Sequence, residues 1–186
     1  MIYPNNIGKG DGKELHLRAL ERVWIQGRLK MWGRWSGMES FGRAGNMFNR
    51  LLTSNKVTKA AITLALNQLK KAGCEQEELR QYLLDILEGK QKSSLAFCTD
   101  SEAAIMDRVI GAVLLDYPGL KFIIQQRYIG KGKSLKEMAA DLHDYRPDWC
   151  MRTCETRVAV WVKTAEFMLY SPMSDAFEMN SERFWR

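Results

Sequence analysis

A chain of 186 residues, 46% hydrophobic and 27% charged, has the composition of a folded globular protein and is long enough to bury roughly 70% of its unfolded surface. That excludes disordered, collagen-like and disulfide-stapled classes, and no apolar run reaches the roughly 18 residues of a membrane span. The net charge of +6 lies in residues 1–57, which hold ten Lys and Arg against four Asp and Glu.

The opening residues, MIYPNNIGKGDGKEL, lack the apolar core of a signal peptide, and Cys74, Cys98, Cys150 and Cys154 are irregularly spaced. A cytoplasmic chain with reduced thiols and no membrane partner is expected. β-Branched alternation is almost absent, and Pro4, Pro118, Pro147 and Pro172 sit where helices would begin or end, so the expected fold is all-α. The first helix should span about Lys13 to Trp32, with Leu17, Leu20, Val23, Trp24 and Met31 as its apolar stripe and Arg18, Arg22, Arg28 and Lys30 outside it. A glycine-rich connector, Gly33 to Gly45, should follow and carry Trp35 and Phe41.

A short helix is expected near Asn46 to Leu52, and a longer one from about Thr58 to Ala72, stopped by Gly73. The next, about Glu75 to Glu88, starts with acids, as the helix dipole favours. Small polar residues and two lysines in Gly89 to Cys98 suggest a boundary between an N-terminal basic helical region, 1–98, and a C-terminal region, 99–186. Thr99, Asp100 and Ser101 offer capping oxygens for a helix reaching about Tyr117, and Pro118 opens another that ends near Tyr128. After the IGKGK loop, Ser134-Leu-Lys-Glu137 has capping-box spacing and starts a helix continuing through Met138, Ala139 and Leu142. A break containing Pro147 precedes a last helix from about Thr153 to Tyr170.

No catalytic constellation is visible. The two histidines, His16 and His143, have no nucleophile or carboxylate at a suggestive spacing. Gly132-Lys133-Ser134 looks like the end of a phosphate-binding loop, but Arg127 stands where that loop needs glycine, and no strand precedes it. His143, Cys150 and Cys154 could supply three zinc ligands, but no fourth is evident, so neither metal nor cofactor is expected.

The C-terminal pattern is more informative, because a short capped helix, a break and a second periodic helix form the layout of a helix-turn-helix. On the last helix Val158, Trp161, Val162, Ala165, Met168 and Leu169 lie within about 120° of arc, which makes them the core stripe. The opposite arc carries Arg152, Thr156, Ala159 and Lys163, flanked by Thr153 and Arg157. Arginine can donate two hydrogen bonds to a guanine edge, Thr and Ala can touch a thymine methyl, and Lys can pair with phosphate. Between Lys121 and Lys136 the chain adds Arg127, Lys131 and Lys133 and no acid, a run that attracts a polyphosphate backbone. Near the amino end, Trp24, Trp32, Trp35, Phe41 and Phe48 alternate with Arg28, Lys30, Arg34, Arg43 and Arg50. Such a pattern suits either stacking on single-stranded nucleic acid or packing at a helix end.

Trp32-Gly33-Arg34-Trp35, after a first amphipathic helix, resembles the W-G-x-W element of Q-type late-gene antitermination proteins of lambdoid phages. The block Tyr117 to Leu169, with Arg127-Tyr128-Ile129-Gly130 and Ser134-Leu-Lys-Glu-Met-Ala139, looks like their helix-turn-helix, itself similar to region four of sigma factors. The nine residues between Leu142 and Arg152 would make an enlarged turn, against about three or four in a simple helix-turn-helix. The resemblance implies a non-enzymatic protein that binds a double-stranded DNA element at a late promoter. It would load onto host RNA polymerase while sigma factor is still present and carry the enzyme past pauses and terminators. It implies DNA contact by Lys133, Ser134, Lys136, Arg152, Thr153, Thr156 and Arg157, to which the charge run adds Arg127 and Lys131 and the helix arc adds Lys163. Arg28, Lys30, Trp32, Arg34, Trp35 and Arg43 become a candidate surface for polymerase or nascent RNA. The rival expectations are a sigma-like activator that only recruits polymerase and a packaging protein that coats DNA without sequence preference.

Overall fold

The computed structural model describes Tyr3, Pro4 and residues 15–38, 63, 66–67, 69–71, 73–87 and 98–183, without the side chains of 38, 82–87 and 179–183. Among the described residues the protein is all-α, with helices α1 (Ala19–Met38), α2 (Gln76–Leu87), α3 (Asp100–Val113), α4 (Pro118–Tyr128), α5 (Leu135–Tyr145) and α6 (Met151–Arg183). The described residues from 63 to 71 are also helical. They end in a glycine stop: Gly73 has φ 85°, its N–H bonds to the Lys70 carbonyl at 3.1 Å, and the Cys74 N–H bonds to Leu69 at 3.1 Å. The expected helix at 46–52, the aromatic and basic residues Phe41, Arg43, Phe48 and Arg50, and most of the 89–98 boundary lie outside the described residues.

Local chemistry fixes three helix starts. Ser134 accepts from the Glu137 N–H at 3.2 Å while the Glu137 carboxylate returns to the Ser134 N–H at 2.7 Å, and Thr99 with Glu102 forms the same reciprocal box at 3.2 and 2.9 Å. Pro118 occupies the first turn of α4, where its missing N–H costs no helical bond. α3 stops at Val113, earlier than expected, because the chain turns there and the Tyr117 N–H bonds to Leu114.

α6 forms the axis of the bundle, packing against α5, α3, α4 and α1. Val158, Trp161, Val162, Ala165 and Leu169 are buried as their spacing requires, and Met168 is half-buried. They share one core with Ile25, Leu29 and Trp32 of α1, Met106 and Ile110 of α3, Leu120, Ile123 and Ile124 of α4, and Met138, Ala139 and Leu142 of α5. Tyr3 is buried as well, stacked on Trp161 at 6.0 Å and edge-on to Phe122 at 5.7 Å. Residues on both sides of position 98 therefore build a common interior.

Four expectations need correction. α1 starts at Ala19, and the connector anticipated from Gly33 is helical through Met38, because these glycines serve close approach rather than turning. A Cβ on Gly33 would lie 1.9 Å from the Tyr128 carbonyl oxygen, and one on Gly37 would lie 3.1 Å from Gly130; the Gly130 N–H also bonds to the Gly33 carbonyl at 3.2 Å. This crossing turns Ile25, Leu29 and Trp32 inward and leaves Leu20 83% and Val23 68% exposed, while Leu17 and Trp24 of the expected stripe pack against the core from its edge. α6 runs beyond Tyr170 and through Pro172 to Arg183, with Met173 buried and Phe177 edge-on to Trp24 at 6.3 Å rewarding the extra turns. The turn before α6 is residues 146–150, five rather than nine, because α5 continues to Tyr145 and α6 begins at Met151.

Candidate nucleic-acid interface

The hydrophilic arc of α6 faces outward. Arg152, Thr156 and Lys163 are exposed, and Ala159 is half-buried beside them. The Thr156 hydroxyl donates to the Arg152 carbonyl at 2.9 Å, which leaves its methyl free to touch an apolar surface. Glu155, also exposed, borders the same arc, and a carboxylate there can accept from a cytosine amino group. On the preceding connector, Lys131 is exposed after Gly130 and before Gly132, whose φ values are 62° and 64°. Lys136 is exposed on the first turn of α5. Among the described residues no ion pair engages Lys131, Lys136, Arg152 or Lys163.

Other expected DNA contacts also have partners within the protein. The Arg127 guanidinium donates to the Lys133 carbonyl at 2.8 Å and staples the connector. Lys133 pairs with Asp141 at 2.5 Å, and the Ser134 hydroxyl is occupied in its capping box. That box also holds the Glu137 carboxyl below its ordinary range. Thr153 is half-buried, its hydroxyl 3.1 Å from the Cys150 sulfur; this contact and nearby backbone N–H groups hold the exposed Cys150 thiol below its usual value.

Sequence reasoning missed the organisation of the α5–α6 turn. The Trp149 N–H bonds to the Arg146 carbonyl at 3.0 Å, closing a β-turn with Pro147 at its second position. His143 Nδ1 is 2.8 Å from the Trp149 carbonyl. The Arg157 guanidinium lies 4.1 Å and that of Arg146 5.4 Å from the centre of the Trp149 ring. The Arg-Pro-Asp-Trp order was the available signal for that turn. His143 is thus tied to the turn, and among the described residues no three His, Cys, Asp or Glu side chains gather as a metal site.

Two residues of the expected N-terminal contact surface, Trp32 and Arg34, are interior. Trp32 is 2% exposed, with Nε1 donating to Asp107 at 3.2 Å, and Arg34 is 1% exposed, paired with Glu78 at 2.6 Å. Neither can meet polymerase or RNA without unfolding α1, because Trp32 fills the core and Arg34 is covered where α1 meets α2. Burial on its own would raise the Glu78 carboxyl, but the Arg34 hydrogen bond, the Glu75 N–H and the charges of Arg34 and Lys30 hold it below the ordinary range. Arg28 is half-buried, bonded to Glu102 at 3.3 Å and stacked 4.0 Å over Phe177. Trp35 is half-buried and donates to Asp100 at 3.0 Å, while Lys30 is exposed, 3.9 Å from Glu78. Arg28, Trp24, Tyr170, Ser174, Phe177 and Glu178 line an open cleft of about 260 Å³ between α1 and α6.

Beneath the interface lies a polar junction. Glu166, 2% exposed, accepts from the Tyr128 hydroxyl at 2.5 Å and from Gln26 Nε2 at 3.1 and 3.2 Å, which joins α1, α4 and α6. Burial, followed by the Glu166 charge, pushes the Tyr128 phenol far above its ordinary range, so it stays the proton donor.

The profile of a family described as "Protein of unknown function (DUF1133)" matches residues 1–178. The chain belongs to the DUF1133 family. No curated protein matches it. Among solved structures, transcription antitermination factor Q21 superposes on this DUF1133 member with a TM-score of 0.55 at 16% identity, covering 90% of this chain and 98% of that one. Q21 in complex with Q21-binding-element DNA gives 0.56 at 17% identity, with coverage of 90% and 98%. At these identities the likeness establishes a shared all-α fold across nearly the whole of both chains. No described helix of the DUF1133 chain is long and apolar enough to cross a membrane.

Proposed function

We propose that this protein is a non-enzymatic, duplex-DNA-binding regulator of transcription antitermination, acting in the host cytoplasm, with α5 and α6 forming a helix-turn-helix that docks in the major groove. The observation that carries this reading is the hydrophilic arc of α6, where Arg152, Thr156 and Lys163 face solvent without ion pairs among the described residues. Its support is the fold shared with a factor solved on its own DNA element. The five-residue turn brings the helix pair close to the compact spacing of such motifs. In this reading Arg152 and Thr156 address base edges, while Lys131, Lys136 and Lys163 address phosphates. Residues 99–186 form the DNA-binding region. The N-terminal region, with Lys30 and Trp35 as its remaining surface candidates and Arg43 beyond the described residues, faces polymerase, sigma factor still present, and nascent RNA.

The test is run-off transcription from a late promoter across a downstream terminator, paired with footprinting of the promoter-proximal DNA. Read-through together with a discrete footprint is the expected result. Increased initiation without read-through would replace antitermination with sigma-like activation. A phased lattice lacking a favoured site would replace both with non-specific coating of DNA. Arg152→Ala should cost about 1–3 kcal/mol of discrimination between the favoured site and random duplex.

A further inference from the structure

We infer that Arg146 and Arg157, clasped on the indole of Trp149, form a phosphodiester-binding site at the α5–α6 turn, with Trp149 as its positioning residue. The inference rests on the DNA-binding reading above and adds residues to it, since Arg146 and Trp149 belong to neither the basic run nor the outward arc of α6.

Three independent features build the site. The turn Arg146-Pro147-Asp148-Trp149, closed by the Trp149 N–H bond to Arg146, fixes its first and last residues side by side, and Pro147 restricts the backbone between them. The contact of His143 Nδ1 with the Trp149 carbonyl ties that turn to the last residues of α5. Arg157 then reaches the same indole from the flank of α6, about 140° around the helix from Arg152. Two cations therefore share one aromatic ring, although like charges repel. The ring quadrupole offsets that repulsion, and stacking engages the guanidinium faces while leaving N–H edges available.

Those edges suit an anion. Among the described residues neither Arg146 nor Arg157 has a carboxylate within ion-pairing distance, unlike Arg28, Arg34 and Lys133. Phosphate geometry matches the planar fork of arginine, and a side chain already held on an indole loses less freedom when it binds. Arg157 is half-buried and restrained, which suits it to a phosphate of fixed position and leaves base discrimination to the freely exposed Arg152.

The full-length protein should be titrated onto a fluorescein-labelled random-sequence duplex of about 30 base pairs, long enough to span the major groove of more than one half-site, with KCl varied between about 50 and 200 mM. The double variant Arg146→Gln/Arg157→Gln leaves the indole in place and should lower the slope of log K against log salt by about 1–2. Trp149→Ala should weaken binding roughly tenfold at fixed salt on random and preferred duplexes alike, and Trp149→Phe should restore most of it, because phenylalanine retains a face for the guanidiniums. A salt slope unchanged in the double variant would overturn the phosphate site while leaving the DNA-binding reading intact. Unchanged affinity in Trp149→Ala would overturn the positioning role. Absence of salt-dependent binding by the wild-type protein would overturn both.

Discussion

Gly33→Ala and Gly27→Ala make the same chemical change six residues apart on α1 and should have opposite effects. In the middle of a helix, replacing glycine with alanine gains about 0.5–1 kcal/mol from lost backbone freedom in the unfolded chain and better helix propensity. At Gly27, an exposed position, an added Cβ meets nothing within 4 Å, so the gain should be realised. At Gly33 the Cβ would lie 1.9 Å from the Tyr128 carbonyl oxygen and 2.4 Å from its carbon, so backbone rather than a pliable side chain must yield. Relieving that overlap means moving α1 off the α4–α5 connector by more than an ångström, about 1–3 kcal/mol for overpacking. Stretching the Gly130-to-Gly33 hydrogen bond adds about 1 kcal/mol. After the propensity gain is subtracted, Gly33→Ala should destabilise by about 1–3 kcal/mol, or roughly 2–10 °C in melting temperature, while Gly27→Ala should raise it by a few degrees. Thermal and urea unfolding of the pair gives the answer. A Gly33→Ala protein as stable as Gly27→Ala would refute the glycine crossing as the device that seats α1.

Trp161→Ala should cost about 3–5 kcal/mol in urea unfolding, because the fully buried indole supports Tyr3 as well as the core of α6. The depressed carboxyls of Glu78 and Glu102 give stability that is complete above their unfolded pKa and lost as pH falls through their folded values. The acid limb of an unfolding profile should therefore begin below about pH 4.5, and Glu78→Gln should flatten it. Among the four thiols, exposed Cys150 should react first with a thiol reagent near neutral pH. Buried Cys74 and Cys154, and Cys98, which burial pushes up to about 11, should lag. Equal labelling rates would contradict the placement of Cys150 at the start of α6.

The parts legible in the sequence were those written in neighbouring residues. Ser134 with Glu137, Pro118 and Gly73 mark boundaries through contacts within five residues, and the α6 stripe survives because its apolar residues occupy one arc only. α1 was misread because it carries apolar residues nearly all round, so periodicity could not choose between Leu20–Val23 and Ile25–Leu29; a glycine contact with residue 128 decides it. Arg34 looked like a surface cation because its partner, Glu78, is 44 residues away. Lys133 with Asp141 and Arg157 with Trp149 lie only eight residues apart, but each pair joins a helix to the loop before it, which the periodicity of one helix does not show. Pro172 suggested an end to α6, but burial of Met173 and contact of Phe177 with α1 outweigh one missing hydrogen bond. In each failure a tertiary contact overrode a local rule.

The junction of Gln26 with Glu166 spans 140 residues, and Tyr3 waits even longer for Trp161. During synthesis the amino-terminal helix therefore emerges with its inward face, Ile25, Leu29 and Trp32, bare until the final helix follows from the ribosome. Contacts so remote along the chain slow assembly and prolong exposure of sticky surface. The surplus of Lys and Arg in the opening third is then of use before any partner is met, since like-charged nascent chains repel one another while they remain incomplete.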